Sequence, residues 1–249
     1  MKGTILGSGT GIPSLSRHAP GYLLEGDGTR CLIDCGSGTL LQLERLQKSF
    51  HTLDGAFITH THPDHIGDLI PMVHAFRLPG LVRCAPFHLF GPPGFIDFFD
   101  RFVAPIATPP DSFPFHVAEI SPCQSWEGMT VRAQPTIHSD RLASVAYRFE
   151  KDGKSIVFTG DCDYDPALVD FVSGADLLVI DCSTLEADKV KGHLSAEQVG
   201  LVAAQARVGR LIPTHFYPIG QPDSHRVAEC RLHFAGPLDL AEDLMEFQV

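Results

Sequence analysis

The sequence predicts an α/β fold in which two β-sheets pack face to face and helices cover their outer surfaces. Short apolar runs of β-type residues alternate with glycine turns and with stretches at helical spacing. The first part of the chain is rich in strands, and the later part repeats the mixture of strands and helices. The 249 residues, 44% of them hydrophobic, can bury one large core, so we expect a single domain over residues 1–249.

The same patterns assign the elements in chain order. We predict strands at 2–7, 20–25, 30–34, 55–59, 86–90, 115–119, 129–137, 144–149, 154–159, 175–181 and 211–214. We predict helices at 38–48, 66–76, 93–103, 165–172 and 195–207. Ser195, with Gln198 three residues on, is typical of a capping box at the start of the last helix. The KDGK sequence at 151–154 predicts a hairpin turn.

Charge and cysteine content limit the function classes. Lys and Arg number 19 against 30 Asp and Glu, which gives a formal net charge of −11. Proteins that grip polyphosphate backbones usually have a basic surface, although bound divalent cations reverse the sign locally. The seven cysteines mostly lie in apolar runs, which indicates buried thiols rather than disulfides. We see no signal peptide and no membrane span, so we expect a cytoplasmic protein without membrane attachment.

A dense group of metal-binding residue types follows the apolar run at 55–59. The stretch HTHPDH supplies His60, His62, Asp64 and His65. Because one residue separates His60 from His62, an extended chain points both rings to the same side, where both can bind one ion. Pro63 is expected to keep the next helix from beginning before Ile66 and to direct the following donors toward a second position.

Further donors close apolar runs later in the chain. His138 ends TVRAQPTIH, Asp161 ends SIVFTGD and His215 ends LIPTH. Each one alone is ordinarily a hydrogen-bonded histidine or a turn aspartate. Together with the HTHPDH donors they complete a site for two metal ions. The predicted sets are His60, His62 and His138 for one ion, Asp64, His65 and His215 for the other, and Asp161 as the bridge.

These motifs, with the TGD at 159–161 and the THF at 214–216, resemble the metallo-β-lactamase superfamily over nearly the whole chain. The resemblance implies an α/β fold of the αββα sandwich type, with the site along one edge of the two sheets. It also implies the same ligand sets. In that family the two divalent ions are usually zinc, and manganese or iron in some branches.

One segment points to a branch of the superfamily. GHLS at 192–195 resembles the segment of ribonuclease Z-like phosphodiesterases that carries a non-ligand histidine, here His193. The opening GSGTGIPSLSR resembles the first loop of that branch, with Ser14 and Arg17 near the cleft. The tRNA-processing members often carry a long basic arm, whereas only 22 residues separate His138 from Asp161. We therefore expect a small or cyclic phosphodiester as the substrate and regard tRNA as unlikely.

The resemblance implies specific roles in hydrolysis. A metal-bridging hydroxide would attack phosphorus, Asp64 would help to orient it, and His193 would assist the leaving oxygen. Asp181, which closes ADLLVID, is either a partner that orients a ligand or His193, or a plain turn residue. Lys189 and Lys191 either meet a phosphate or lie in solvent.

Alternative functions and assemblies remain open at this point. A lactone or thioester hydrolase on the same scaffold is the main alternative, and the GHLS segment argues against it. A non-enzymatic metal-binding or interaction subunit and an oxygen reductase are the others. Members of the branch are often dimers, so a homodimer is possible. The proline-rich segment 105–115 forms either a plain connection, or a lid or an interface.

Overall fold

The computed structural model describes residues 1–78, 83–218 and 222–249. Its strands are β1 (Lys2–Gly7), β2 (Gly21–Gly26), β3 (Thr29–Ile33), β4 (Gly55–Phe57), β5 (Phe87–Gly91), β6 (Phe115–Glu119), β7 (Cys123–Trp126), β8 (Met129–Pro135), β9 (Val145–Lys151), β10 (Lys154–Phe158), β11 (Leu177–Asp181), β12 (Arg210–Thr214) and β13 (Glu246–Gln248). In the described ranges they form a seven-stranded sheet, ordered β13-β1-β2-β3-β4-β5-β6, and a six-stranded sheet, ordered β12-β11-β10-β9-β8-β7.

The α-helices lie mainly on the outer faces of the sheets. They are α1 (Thr39–Arg45), α2 (Pro63–Ile66), α3 (Leu69–Ala75), α4 (Phe95–Phe98), α5 (Pro166–Val172), α6 (Ala196–Ala206) and α7 (Asp223–Cys230). A π-helical turn, Phe99–Val103, continues α4. The predicted capping box of Ser195 and Gln198 is confirmed at the start of α6. Within the described ranges, no helix combines the length and the hydrophobicity needed to cross a membrane.

Alternating side chains of the first sheet enter two different cores. In β2, Tyr22 and Leu24 join the core between the sheets, where the Tyr22 ring lies 5.3 Å from that of Phe158 in β10. Leu23 points the other way, into the core beneath α1 and α3. A strand buried on both faces is apolar throughout, which is why these strands were visible in the sequence. The predicted α/β sandwich with outer helices is confirmed.

Strand directions bring several chain segments to one edge of the sandwich. Strands β10, β11 and β12 are parallel, and β8 runs in the same direction because β9 is antiparallel to both β8 and β10. In the other sheet, β3 and β4 are also parallel. The residues that follow these strands therefore collect at the edge where their carboxyl ends lie.

The predicted start of the helix at 66–76 is wrong. Helix α2 begins at Pro63, with Asp64 and His65 in its first turn, and α3 follows from Leu69 after a break. Proline has no amide hydrogen to lose at the first helical position, and its fixed φ suits that position, so it starts the helix instead of delaying it. The prediction for 93–103 is also modified, since only its first turn is α-helical.

Two strands and one α-helix of the described residues were not predicted, because they are short or polar. Strands β7 and β13 have four and three residues, too few to show a period. Helix α7 carries Asp, Ser, His, Arg and Glu and few apolar residues. Strand ends also moved: 129–137 ends at Pro135 and 55–59 ends at Phe57, so the donors that follow lie in loops.

The segment 105–115 is partly built into the outer core. Ala107 and Phe113 are buried there together with Phe95 and Phe99, whereas Phe102 is 58% exposed. These contacts account for most of the neighbouring phenylalanines as packing residues. A role as a lid or an interface stays a prediction.

Candidate metal centre

Six polar residues close strands at this edge of the sandwich. They are Asp34 after β3, His60 after β4, His138 after β8, Asp161 after β10, Asp181 at the end of β11 and His215 after β12. Asp34 and His215 have left-handed backbone, with φ of 56° and 61°. Left-handed backbone is uncommon for residues other than glycine and is concentrated at functional sites.

Three histidines converge at one position. Nδ1 of His62 lies 3.0 Å from Nε2 of His60 and 2.9 Å from Nε2 of His138. His60 is fully buried, and the other two are partly exposed. Three nitrogens bound to one tetrahedral ion at about 2.0–2.1 Å would lie about 3.3 Å apart, close to this spacing.

The Asp161 carboxylate lies between this group and a second one. Its Oδ2 is 3.6 Å from Nε2 of both His60 and His138. Its Oδ1 is 3.2 Å from Nε2 of His65 and 3.4 Å from Nε2 of His215. One oxygen therefore faces each group, which suits a carboxylate that bridges two ions. Asp64 joins the second group, with Oδ2 3.5 Å from Nε2 of His215.

The polar atoms at the centre of this site fit metal ions. Among the residues that the structure describes, Nε2 of His65, Nε2 of His215 and Oδ1 of Asp161 are buried without a hydrogen-bond partner. These atoms face one another at 3.2 and 3.4 Å without hydrogen-bond geometry, and because buried polar atoms are normally paired, this arrangement fits a cation bound between them. The donors cluster within 4.8 Å in groups that include His60, His62, His138 and Asp161, and Asp64, His65 and His215. The fold family implies divalent ions, and these clusters fit a binuclear site.

The remaining ring nitrogen of most of these histidines is also bound. Such bonds fix the tautomer and leave Nε2 available for a metal. The pairs are Nδ1 of His60 with Oγ1 of Thr59 (3.1 Å), His65 with Oδ2 of Asp34 (2.7 Å), His138 with the Gly192 carbonyl (2.8 Å) and His215 with Oγ of Ser183 (3.0 Å).

Two of these partners, Asp34 and Ser183, were not recognised from the sequence. Asp34 is fully buried and also accepts hydrogen bonds from the amide and hydroxyl of Thr59. It closes the apolar run CLID, the same signal that identified Asp161, so it was detectable. Ser183 has no comparable signal, because a serine in a loop is common.

Asp181 and His193 form a pair next to the metal-ligand candidates. Nδ1 of His193 lies 3.0 Å from Oδ2 of Asp181 and 3.1 Å from Oγ of Ser183. Gly192, with φ of 87°, permits the turn that brings His193 there, and a Cβ at this position would lie 2.4 Å from the His138 carbonyl oxygen. Of the two readings for Asp181, the contacts favour the one in which it orients His193.

Burial and charge set the protonation of the metal-free site. Burial lowers the pKa of His215, but the carboxylates of Asp161, Asp181 and Asp64 outweigh this effect and raise it to about 10. Burial also lowers the pKa of His65, but the carboxylates of Asp161 and Asp34 outweigh this effect and raise it well above its ordinary value. Burial, helped by the charge of His65, instead lowers the pKa of His60. A metal ion would therefore compete with protons for the Nε2 atoms of His65 and His215.

Basic side chains near the site have carboxylate partners. Nζ of Lys189 is 2.8 Å from Asp163, and Nζ of the exposed Lys191 is 3.2 Å from Asp140. Arg17, whose position near the cleft was predicted, pairs with Asp223 at 2.8 Å. Arg17 and Ser14 line a cavity that also reaches Asp64.

A family model described as a beta-lactamase superfamily domain matches residues 29–216. The chain belongs to the beta-lactamase superfamily. Among curated relatives, this superfamily member is 29% identical to ribonuclease Z of Mycobacterium marinum over 276 residues, which cover 99% of this chain and 98% of that protein. It is 28% identical to ribonuclease Z of Mycobacterium bovis over 276 residues, covering 99% and 97%.

Several solved structures share the fold of this chain. The short form of human tRNase Z is 25% identical with a TM-score of 0.81, covering 100% of this chain and 99% of that one. The metallo-beta-lactamase fold protein YhfI of Bacillus subtilis is 24% identical with a TM-score of 0.85, covering 99% of both chains. A diphosphatase from the PhnP family is 20% identical with a TM-score of 0.74, covering 100% and 97%.

These matches confirm the predicted resemblance to ribonuclease Z-like metallo-β-lactamases and the expectation of a metal-dependent hydrolase. The prediction that tRNA is an unlikely substrate gains no support from them, because the curated relatives reported above carry the name ribonuclease Z. Zinc as the metal and the cytoplasm as the location stay predictions.

Proposed function

We propose that this protein is a di-metal phosphodiesterase that hydrolyses small or cyclic phosphodiesters. The position of His193 carries the proposal. Its ring centroid lies 4.9 Å from that of His138 and 5.4 Å from that of His215, and it is stacked on the latter at 9°. His193 therefore adjoins one candidate ligand from each metal set, so a phosphoryl group bound between the sets would also be within reach of His193.

The donors divide between two ions in this proposal. Imidazole and carboxylate donors suit zinc, and they are also compatible with manganese or iron. When bound, such ions would supply a hydroxide nucleophile from water and offset the negative charge on the phosphoryl oxygens. The proposed ligands are His60, His62 and His138 for one ion and Asp64, His65 and His215 for the other, with Asp161 between them.

The protein's own groups would handle the proton. Asp181 holds Nδ1 of His193, so the other ring nitrogen, Nε2, is the one whose proton can serve the leaving oxygen. Asp64 is the more exposed of the two proposed carboxylate ligands, and its Oδ2 lies 3.5 Å from Nε2 of His215. Asp64 would therefore also help to orient the attacking nucleophile.

Three features support a small substrate. The β9–β10 hairpin occupies the stretch between His138 and Asp161, which leaves no room there for a basic arm. Lys189 and Lys191 are each paired with an aspartate, and the net charge is −11. An extended polyanion would meet little unpaired positive charge on these lysines.

RNA cleavage is the second candidate function. The observation that favours it is the similarity, over nearly the full length of both chains, to proteins named ribonuclease Z and to human tRNase Z. A lactone or thioester hydrolase remains the alternative outside phosphoryl chemistry. The Asp181–His193 pair argues against the thioester, because a thiolate leaves without a general acid, whereas the alkoxide of a lactone needs a proton as the leaving alcohol of a diester does, so the substrate assay separates those two.

A substrate comparison tests the proposal. Protein stripped with a chelator and refilled with zinc or manganese would be assayed on bis(p-nitrophenyl) phosphate, a thioester, a lactone and a precursor tRNA. The expected result is metal-dependent turnover of the diester without cleavage of the tRNA. Turnover of the thioester or lactone alone would refute phosphodiesterase activity, and efficient tRNA cleavage would replace the small substrate with RNA.

A further inference from the structure

Tyr217 makes a contact that the proposed function does not use. Its hydroxyl oxygen lies 3.2 Å from Nε2 of His193, the nitrogen that points away from Asp181. The Tyr217 ring packs on the rings of His193 and His215, with centroid distances of 5.4 and 5.9 Å. The hydroxyl therefore occupies the hydrogen-bonding position of Nε2.

The backbone of Tyr217 is held on both sides. Its amide donates to the carbonyl of Ser183 (3.0 Å), in the loop that also contacts Nδ1 of His193. Its carbonyl accepts from Nη2 of Arg226 (2.9 Å), and Arg226 is only 2% exposed. Phe216, just before it, lies near the guanidinium groups of Arg17 and Arg226, 4.6 and 5.0 Å from its centroid. Tyr217 is thus fixed relative to His193.

The side chain of Tyr217 is half-buried and open on one side. It lines a cavity of about 170 Å³ together with Ile12, Ser14 and Arg17 of the first loop. A second cavity shares those three residues and reaches Asp64. Tyr217 therefore contacts His193 and also lines a cavity that shares its first-loop residues with a cavity reaching Asp64, a proposed metal ligand.

The donors and acceptors around His193 determine which hydrogen bonds the Tyr217 hydroxyl can make. A carboxylate only accepts, so Nδ1 of His193 donates to Asp181, and Nε2 is the nitrogen that can change between donor and acceptor. A tyrosine hydroxyl can accept one hydrogen bond while it donates another. Tyr217 can thus accept from Nε2 and donate to an oxygen on its open side.

We propose that Tyr217 is a catalytic residue that relays the proton from His193 to the leaving oxygen, an inference that rests on the proposed phosphodiesterase function. As the bond between phosphorus and the leaving oxygen breaks, its electron pair stays on that oxygen, which takes the hydroxyl proton of Tyr217. The Tyr217 oxygen takes the proton from Nε2 of His193 in the same step. Tyr217 ends unchanged, and His193 ends neutral until it regains a proton from solvent.

The test compares Tyr217→Phe, His193→Ala and the double variant on two diesters. One is bis(p-nitrophenyl) phosphate, whose leaving group needs no proton, and the other is a dinucleoside monophosphate, whose leaving group is an alcohol. We expect Tyr217→Phe to lose about 10²–10⁴-fold in kcat on the second substrate and little on the first. The double variant should be no slower than His193→Ala, because both residues serve one step.

Tyr164→Phe is the matched control. The Tyr164 hydroxyl donates to Gln205 at the protein surface, so its removal should change neither substrate. Full activity of Tyr217→Phe on the alcohol-leaving substrate, equal losses on both substrates, or losses that add to those of His193→Ala would overturn the relay. A wild-type protein that hydrolyses neither diester would instead refute the proposed function.

A spectroscopic measurement tests the contact independently of turnover. The ¹⁵N signal of His193 Nε2 should shift in Tyr217→Phe and stay in place in Tyr164→Phe, in metal-free and in zinc-loaded protein alike. Metal content and thermal unfolding should match the wild type in both variants. An unchanged Nε2 signal in Tyr217→Phe would overturn the inference even if no substrate had been found.

Discussion

Replacing Ser183 with alanine should weaken one of the two proposed metal sites and spare the other. The Ser183 hydroxyl donates to Oδ1 of Asp181 (2.7 Å) and accepts from Nδ1 of His193 and of His215. Without it, His193 keeps Oδ2 of Asp181 at 3.0 Å. Nδ1 of His215 is left with Oδ1 of Asp181 at 3.5 Å. The loss therefore falls on His215, a proposed ligand of the second ion.

Two independent magnitudes agree for this change. A buried N–H that loses its partner costs about 1–3 kcal/mol, which is about 5- to 140-fold in an equilibrium constant. Removing a group that holds a metal-bound histidine typically weakens metal binding about 10- to 100-fold. We expect the site that contains His215 to bind zinc about 10- to 100-fold more weakly, and the site of His60, His62 and His138 to be unchanged.

Zinc titration against a chelator buffer measures both sites. The titration would compare metal-free wild type with metal-free Ser183→Ala. Both would also be titrated in a His62→Ala background, in which the site that contains His215 can be measured alone. Ser155→Ala is the matched control, because Ser155 is also buried but bonds Asp176 at the opposite end of β10. Equal zinc affinity in Ser183→Ala and wild type, or weakening of the His60 site alone, would refute the argument.

Three further predictions concern the same site. Asp161→Ala should lower both the metal content and the rate, since each carboxylate oxygen faces one donor group; two ions per chain in the variant would show that the bridge is wrongly assigned. His193→Ala should keep both ions but lose about 10²–10⁴-fold on a diester with an alcohol leaving group and less on an aryl diester, with His116→Ala, in β6, as control. Equal losses on both diesters would remove the general-acid role. In metal-free protein, the pKa of His215 is about 10 in the folded state and about 6.5 in the unfolded state. The protonated imidazole therefore stabilises the fold fully below a pH of about 6.5, and thermal stability should fall as the pH rises from about 6.5 to about 10. A flat profile over this window would contradict that protonation state.

Local sequence patterns were sufficient to predict the elements in which apolar residues recur at a regular spacing. The strands of the sandwich have alternating or continuous apolar residues because one or both faces are buried, and the capping box of α6 is a short-range motif. The same reasoning failed at Pro63, where the helix-starting and helix-blocking effects of proline compete and the first helical position decides. It also failed for α7, whose residues are mostly polar.

The candidate metal ligands were predictable for a related reason. A polar residue directly after a buried strand must lie at the sheet edge, so the positions of His60, His138, Asp161 and His215 in the chain already indicated a shared edge. Asp34 follows the same rule after β3, but its segment, unlike HTHPDH, contains no second donor that would mark it as part of a metal site. Tyr217, two residues beyond His215, carries no local signal at all.

The sequence by itself determined the α/β sandwich and the location of the candidate metal donors at strand ends, because strand period and covalent spacing are local properties of the chain. Only the tertiary structure decided which oxygen of Asp161 faces which histidines, and that Ser183 connects His193 with His215. These contacts join residues far apart in the chain. Sheet pairing and the left-handed turns at Asp34 and His215 fix their distances to within a hydrogen bond, and no local pattern encodes that geometry.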